Sequence, residues 1–233
     1  MDKEKNIKII EKYNDALAPK YDEATLGEFK WLSPRETNKL ILPYIKSGFS
    51  VLDVGIGTGQ SSEELFKTGC KICGIDISQK MIEICKDKFP EFELYQADLE
   101  EGLPMLTGRT FDIVVAIGVL EFVQDIDKTI NLLVNFLKPS GFLCFTFEKY
   151  LPKHRLQKWT KSEMGRGVID PIPELLTFLN YRYTLREIKK IVQNHKLKIL
   201  RTKKFKSYLK SKEKIPIFYE IILAQKFNHG GNC

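Results

Sequence analysis

The sequence predicts an α/β protein with a doubly wound, mostly parallel sheet. Five short apolar runs, at residues 50–54, 71–76, 92–97, 111–117 and 141–147, alternate with amphipathic stretches. The runs are rich in Val, Ile, Leu and Phe with little polar alternation, as strands covered on both faces require. Pro90, Pro104 and Pro139-Ser140-Gly141 break the connections between them. Repeated β-α units of this kind wind into one sheet with right-handed crossovers.

Taken in order, residues 1–46 read as helical. Ile7, Ile10, Tyr13, Ala16 and Leu17 recur at helical spacing, and a second helix is expected from about Pro34 to Lys46. After the first strand, residues 60–67 open a helix with Ser61-Ser62-Glu63-Glu64. Ser78 is placed to cap a helix over 79–88, and Asp125 or Asp127 one that runs through Leu137. Residues 149–182 show little regular pattern and contain His154, Trp159, Gly165, Gly167, Pro171 and Pro173. An insertion of that length inside a compact domain is expected to be a lid or binding loop. Thr184 then caps a helix over 185–195, and strand-like runs at 197–205 and 215–226, separated by the polar stretch 206–214, form a terminal antiparallel hairpin.

Composition narrows the classes. At 233 residues with 43% hydrophobic and 29% charged side chains, the chain can build one large core, which excludes a disordered tail or a disulfide mini-protein. The expectation is a single domain over 1–233, divided into N-terminal helices covering the site (1–46), a cofactor core (47–148), a lid (149–182) and a final helix with its hairpin (183–233). The charged opening MDKEKNIKII lacks an apolar signal core, and no window approaches the roughly 18 uninterrupted apolar residues of a membrane span. Cys70 and Cys73 have CxxC spacing, but no second pair follows to complete a zinc site, so the five cysteines read as reduced thiols and no metal is expected. A cytoplasmic location follows from both points. Charge is divided unevenly: residues 1–148 hold 17 Lys and Arg against 24 Asp and Glu, whereas 149–233 hold 20 against 6.

The chemistry-bearing stretch is Val51-Leu52-Asp53-Val54-Gly55-Ile56-Gly57-Thr58-Gly59, an apolar strand entering a glycine turn and then a helix. Gly55 and Gly57 allow a tight bend and close backbone approach to a ligand, and the helix start offers free N–H groups. The next strand ends at Gly74-Ile75-Asp76, placing a carboxylate at the reach needed for the two hydroxyls of a ribose. These residues point to a nucleoside-containing cofactor. Gln60, Ser61 and Ser62 follow Gly59, so the third glycine of the dinucleotide fingerprint is absent, which argues against a nicotinamide dehydrogenase.

With VLDVGIGTG (51–59), GIDIS and Met81, YQADLE (95–100), FDIVVAIGVLEFV (111–123) and LKPSGFLCFTF (137–147), the chain resembles the class I S-adenosylmethionine-dependent methyltransferases of the small-molecule type. The resemblance implies a seven-stranded sheet of order 3-2-1-4-5-7-6 with the last strand antiparallel. It implies S-adenosylmethionine as cofactor: Asp53, Gly55, Ile56 and Gly57 against its methionine part, Asp76 on the ribose, Ile77 and Met81 on the adenine. Asp98 would take the adenine amino group beside Ala97 and Leu99, and the Ile117 carbonyl would hold the methionine end. Many small-molecule members carry a His near the position of Glu121; here the residue is acidic, which departs from the family's histidine-base pattern at that position. Tyr21, in Ala18-Pro19-Lys20-Tyr21-Asp22, resembles a Tyr-Asp that covers the cofactor in related enzymes. Tyr21, Glu121 and His154 are the candidate catalytic side chains.

Ligands of such sheets bind at the carboxyl ends of the parallel strands, where the insertion and the 206–214 loop are expected to emerge. Arg155, Trp159, Lys203 and Lys206 are therefore the candidate substrate residues. The expected reaction is SN2 methyl transfer to a small anionic or aromatic acceptor. RNA or protein methylation and a non-catalytic cofactor-binding module stand as alternatives, with RNA as a further partner class. The oligomeric state is not legible.

Overall fold

The computed structural model describes residues 3–28, 30–154, 157, 166–172, 175–210 and 214–227. Its main strands are β1 (Ser50–Val54), β2 (Lys71–Asp76), β3 (Glu93–Gln96), β4 (Phe111–Ala116), β5 (Leu137–Glu148), β8 (Leu197–Lys210) and β9 (Ile215–Lys226). They form one sheet in the order β3-β2-β1-β4-β5-β9-β8. Strands β1 to β5 pair in parallel, and β9 lies antiparallel to both β5 and β8. Counting only the strands of this sheet, the order is the 3-2-1-4-5-7-6 implied by the resemblance.

Two strands were not expected. Within the insertion, β6 (Arg166–Ile172) and β7 (Leu175–Arg182) pair antiparallel as a separate two-stranded sheet. Gly167 and Pro171, which read as loop signals, lie within β6, because both strands of a two-stranded ribbon are edge strands, where a residue without a donor can face the unpaired side. The 206–214 loop is also shorter than expected. Lys206 pairs with Phe218 and Lys210 with Ile215, so the ladder runs on to Lys210. Lysines at alternate positions belong on the solvated face of an antiparallel pair, and register shifts near Ile199 and Lys206 accommodate the irregular pattern.

Helices α3 (Ser33–Ile41), α4 (Ser62–Lys67) and α5 (Gln79–Lys88) cover one face, and α6 (Ile126–Asn135) and α7 (Leu185–Asn194) cover the other. Alternation within each strand feeds the two cores. Val51, Ile72, Ile113 and Val115 join Ile41, Leu65 and Ile82 on one side, while Leu52, Val54, Val114 and Ala116 join Ile130, Leu133, Ile188 and Val192 on the other. The caps read from sequence form as expected: Ser78 accepts from Met81 N–H, Asp125 from Lys128 N–H, and Thr184 with Glu187 makes a reciprocal capping box. Helices α4 and α3 are shorter than their periodic stretches, the first because the turn after β1 runs on through Ser61 and the second because Leu42–Tyr44 tightens to a 3₁₀ turn at Pro43.

The N-terminal strap comprises α1 (Lys3–Leu17), a 3₁₀ turn over Ala18–Lys20, the single turn α2 (Tyr21–Glu23) and a π turn over Ala24–Glu28. Ile9 and Ile10 are its buried anchors, whereas Ala16, expected on the apolar face, is exposed.

Candidate functional site

The turns after β1, β2, β3 and β4 open onto one cavity at the carboxyl edge of the sheet, with α1 and Tyr21 closing it from above. Gly55 takes φ +72°, and its N–H and that of Ile56 donate to the Ile75 carbonyl at 2.8 and 3.0 Å, which pins the turn against β2. A Cβ at Gly55 would stand 2.5 Å from Val119 Cγ2, so no other residue fits without displacing the chain after β4. Gly57, at φ +54°, presents its bare Cα to the cavity.

Asp76 stands opposite. Its Oδ2 accepts from Gly57 N–H at 2.8 Å and its Oδ1 from Ser78 N–H at 2.9 Å, so one carboxylate joins the glycine turn to the start of α5. Burial raises its pKa to about 6 against the pull of those N–H groups. A carboxylate this enclosed is incompletely solvated, and each oxygen keeps a lone pair for a hydroxyl donor in the cavity. Ile77, Met81, Ala97, Asp98, Leu99 and Ile117 also line the cavity, together with Ile7, Ile10 and Asn14 of α1 and Phe122 and Val123. The apolar residues line the cavity together with Asp76, and Asp98 accepts from Glu100 N–H at 2.8 Å to fix its turn.

Asp53 and Ile56 are not among the residues that line this cavity. Asp53 is fully buried, and its Oδ2 accepts from Ser61 Oγ at 2.6 Å and Ser62 Oγ at 2.7 Å, tying β1 to the beginning of α4. Burial raises its pKa to about 6, and its Oδ1 has no hydrogen-bond partner among the described residues. Ile56 packs against Gly74, where a Cβ would lie 2.4 Å from Ile56 Cδ1, so only its backbone borders the turn.

A second cavity adjoins the first, and Asn14, Tyr21, Gly118 and Phe122 line both. Its walls are aromatic: Tyr13, Tyr21, Trp31, Phe122, Tyr208 and Tyr219, joined by Thr25, Glu121, Glu148, Asn180 and Lys210. Tyr21 and Trp31 meet edge to face with centroids 6.3 Å apart, and Trp31 lies over Gly118, whose added Cβ would be 2.7 Å from Trp31 Cζ2. Burial drives the Tyr21 hydroxyl far above its ordinary range, so it enters the site as a neutral phenol. Glu121 is buried at 3% exposure, with Tyr219 Oη donating to its Oε1.

The remaining candidates lie apart from both cavities. His154 hydrogen-bonds through Nε2 to the Pro216 carbonyl at 2.9 Å, and is not among the described lining residues. Lys203 is engaged by Glu36 of α3 at 2.6 Å, and Lys206 is exposed on β8. Arg155 and Trp159 lie outside the described residues. Trp31, Tyr208, Tyr219, Glu148 and Asn180 were not singled out by the sequence, and they reach the site only through the fold that brings the segment before α3, β5, β7 and the terminal hairpin together. The apolar spacing of α1 was visible, but not which ligand face it would cover.

No helix among the described residues is long and apolar enough to cross a membrane. No group of three or more potential metal ligands is found among them either.

Residues 52–145 match the family model described as a methyltransferase domain. A ubiquinone biosynthesis O-methyltransferase of Azoarcus sp. (strain BH72) is 31% identical over 155 residues, covering 61% of this chain and 65% of that protein. A demethylmenaquinone methyltransferase of Tropheryma whipplei (strain Twist) is 32% identical over 99 residues, covering 42% and 41%. The chain thus spans less than two thirds of the length of the curated relatives it matches. Among solved structures, an S-adenosylmethionine-dependent methyltransferase of Methanosarcina mazei superposes with TM-score 0.69 at 21% identity, covering 82% of this chain and 98% of that one. Magnesium protoporphyrin IX methyltransferase of Synechocystis PCC 6803, with bound S-adenosylmethionine, superposes with TM-score 0.66 at 16% identity, covering 97% and 98%. Residues 52–145 are thus similar to a methyltransferase domain, and the sheet has the Rossmann-like fold of the solved S-adenosylmethionine-dependent methyltransferases.

Proposed function

We propose that this protein is an S-adenosylmethionine-dependent methyltransferase that methylates a hydroxyl oxygen of a small aromatic acceptor. The observation that carries the reading is the pair of adjoining cavities, one with the features a nucleoside needs and one walled by aromatic rings.

The residues fit the cofactor. Gly57 leaves room where a side chain would intrude, Asp76 offers a buried carboxylate suited to ribose hydroxyls, and Ile77, Met81, Ala97 and Leu99 form an apolar slot for adenine with Asp98 at its edge. Gly55 and the Ile117 backbone would border the methionine end, and Tyr21 would separate the two cavities while contacting both ligands. When bound, S-adenosylmethionine supplies an already activated methyl group. The protein's task is then to hold the acceptor oxygen in line, exclude water and receive its proton.

Support for an aromatic over an anionic acceptor comes from the second cavity itself. Trp31, Tyr208, Phe122 and Tyr13 offer stacking surface, whereas its described charged residues are the carboxylates of Glu121 and Glu148 and the ammonium of Lys210. The quinone-pathway names of the Azoarcus and Tropheryma relatives agree with a small ring-bearing acceptor. In this reading residues 1–46 and 149–182 act with the core as one unit. The test is calorimetric titration with S-adenosylmethionine and S-adenosylhomocysteine, followed by mass spectrometry of methyl transfer to a panel of catechols and hydroquinones. Binding with transfer to oxygen is expected; NAD binding in place of S-adenosylmethionine would overturn the cofactor assignment, and transfer only to amines or carboxylates would overturn the acceptor class.

A further inference from the structure

We propose that Glu121, positioned by Tyr219, is the proton acceptor of the second cavity and takes the hydroxyl proton of an aromatic acceptor through its Oε2. The inference rests on the function proposed above and names the group that would remove the proton.

Glu121 belongs to the segment after β4, at the junction of the two cavities, and that segment is held from several sides. Gly118 N–H donates to Thr146 Oγ1 at 2.8 Å, Phe122 N–H to the Val119 carbonyl at 3.0 Å, and Tyr181 N–H of β7 to the Glu121 carbonyl at 2.7 Å. The backbone of Glu121 is therefore fixed by β5 and by the insertion hairpin. Its side chain is fixed as well: Tyr219 of β9 donates to Oε1. The other oxygen, Oε2, has no hydrogen-bond partner among the described residues, although the side chain is buried and lines the cavity. Leaving a buried carboxylate oxygen unpaired costs on the order of 1–3 kcal/mol, which the folded protein tolerates where a ligand completes the bonding. An aromatic hydroxyl in the cavity is such a ligand.

The groups facing Glu121 come from six elements. Tyr13 of α1, Tyr21 of α2, Tyr208 and Lys210 of β8 and Tyr219 of β9 line the same cavity, as does Glu148 of β5, which is paired with Arg182 of β7 at 2.6 Å. Burial raises the Glu121 pKa to about 7, Tyr219 opposes the rise by donating to the charged form, and Glu148 adds to it while Arg182 subtracts. A base poised near neutrality is the most effective at pH 7. As the acceptor oxygen uses a lone pair to bond the methyl carbon, the methyl–sulfur bond breaks with its electron pair left on sulfur, and the hydroxyl proton passes to Oε2. The resulting carboxylic acid returns that proton to solvent after product leaves.

The experiment is infrared pH-difference spectroscopy of the full chain, alone and saturated with S-adenosylhomocysteine, with catechol as the acceptor probe. The expected result is a carboxylic-acid C=O band that titrates near neutral pH, shifts when catechol is added, and is missing in Glu121→Gln. In Tyr219→Phe, which loses the donor to the charged form, the midpoint moves to higher pH, a change that a purely structural role for Tyr219 would not produce. Where methyl transfer to catechol is measurable, Glu121→Gln lowers kcat by roughly 100-fold or more with S-adenosylhomocysteine affinity unchanged, and the acid limb of the pH profile moves in Tyr219→Phe. A titrating band that survives in Glu121→Gln, no such band in the wild type, or an unmoved midpoint in Tyr219→Phe overturns the proposal. Failure of S-adenosylhomocysteine to bind the wild type would instead refute the cofactor reading, leaving the carboxyl titration to speak for itself.

Discussion

Asp76 shows how much a single side chain can organise. Its two oxygens accept from Gly57 and Ser78, so the carboxylate shapes the glycine turn while remaining on the cavity wall. Replacing it with Ala should therefore lower S-adenosylmethionine affinity by at least about 100-fold, since two hydrogen bonds to a charged group are lost at about 1.5–3 kcal/mol each. Calorimetry beside a circular dichroism melt separates this from unfolding: unchanged affinity would contradict the ribose role. Asp53 illustrates the opposite case. It is equally acidic in the sequence and adjacent to the same turn, yet its serine partners show that it braces α4. Nothing local distinguishes the two aspartates, because the difference is set by which way each strand residue faces.

At the scale of elements, the N-terminal strap is held over the cofactor cavity largely by polar latches. Asp22 Oδ1 accepts from Thr58 Oγ1 at 2.5 Å and Gln60 Nε2 at 2.6 Å, and its Oδ2 pairs with Lys88 at 2.7 Å. Asp15 Oδ1 accepts from Ser78 Oγ at 2.5 Å, and Asn6 Oδ1 from Leu179 N–H at 2.8 Å. These bonds tie the strap to the glycine turn, to α5 and to the insertion hairpin. Because Asp22 is partly exposed, its ion pair is screened and the latch is modest. Asp22→Ala should weaken S-adenosylmethionine binding by roughly fivefold, equivalent to about 1 kcal/mol, and speed proteolysis within residues 3–28. An unaltered digestion rate would show that the apolar anchors Ile9 and Ile10 hold the strap alone. The existence of α1 was legible from its spacing, as were the caps of α5, α6 and α7, since these depend on neighbours within four residues. The hairpin of β6 and β7 was not, because its pairing joins residues whose local signals resemble those of a loop.

Over the whole molecule, charge is the property that tertiary structure reinterprets. β8 is the edge strand of the main sheet, and Lys198, Arg201, Lys204 and Lys206 are exposed along it. Lysines on an edge block pairing with a second sheet, so part of the C-terminal basic excess protects against association. Changing Lys204 and Lys206 together to Val should promote concentration-dependent self-association seen by light scattering, with S-adenosylmethionine affinity unchanged. A monodisperse variant would argue against this role. Stability should also respond to pH in a definite sense. Asp53 and Asp76, raised to about 6, and Glu121, raised to about 7, bind protons more readily folded than unfolded, so their contribution is full below the unfolded carboxylate pKa of about 4 and is lost as pH rises through about 6–7. Glu93, held at about 2 by Arg109 and Tyr95, and Glu36, lowered by Lys203 and Lys39, contribute above about pH 4 and lose their effect below it. The ligand-free Tm should thus peak near about pH 5 and fall toward about pH 8, with a shallower fall in Asp53→Asn; a Tm that climbs through neutrality would contradict the raised carboxylates.

The five parallel strands, the helices between them, the glycine turn and the carboxylate of Asp76 at the end of β2 were determined by the sequence itself. Each rests on short-range regularities: apolar runs of strand length, helical spacing, and glycines where a side chain would collide with its surroundings. Tertiary structure alone decided the second cavity. Tyr219 reaches Glu121 across 98 positions of sequence, Trp31 covers Gly118 from the N-terminal side, and Tyr208 and Lys210 arrive on a strand whose end read as a loop. No local pattern encodes such meetings, because they follow from placing the terminal hairpin beside β5, where its side chains complete a wall begun more than ninety residues earlier.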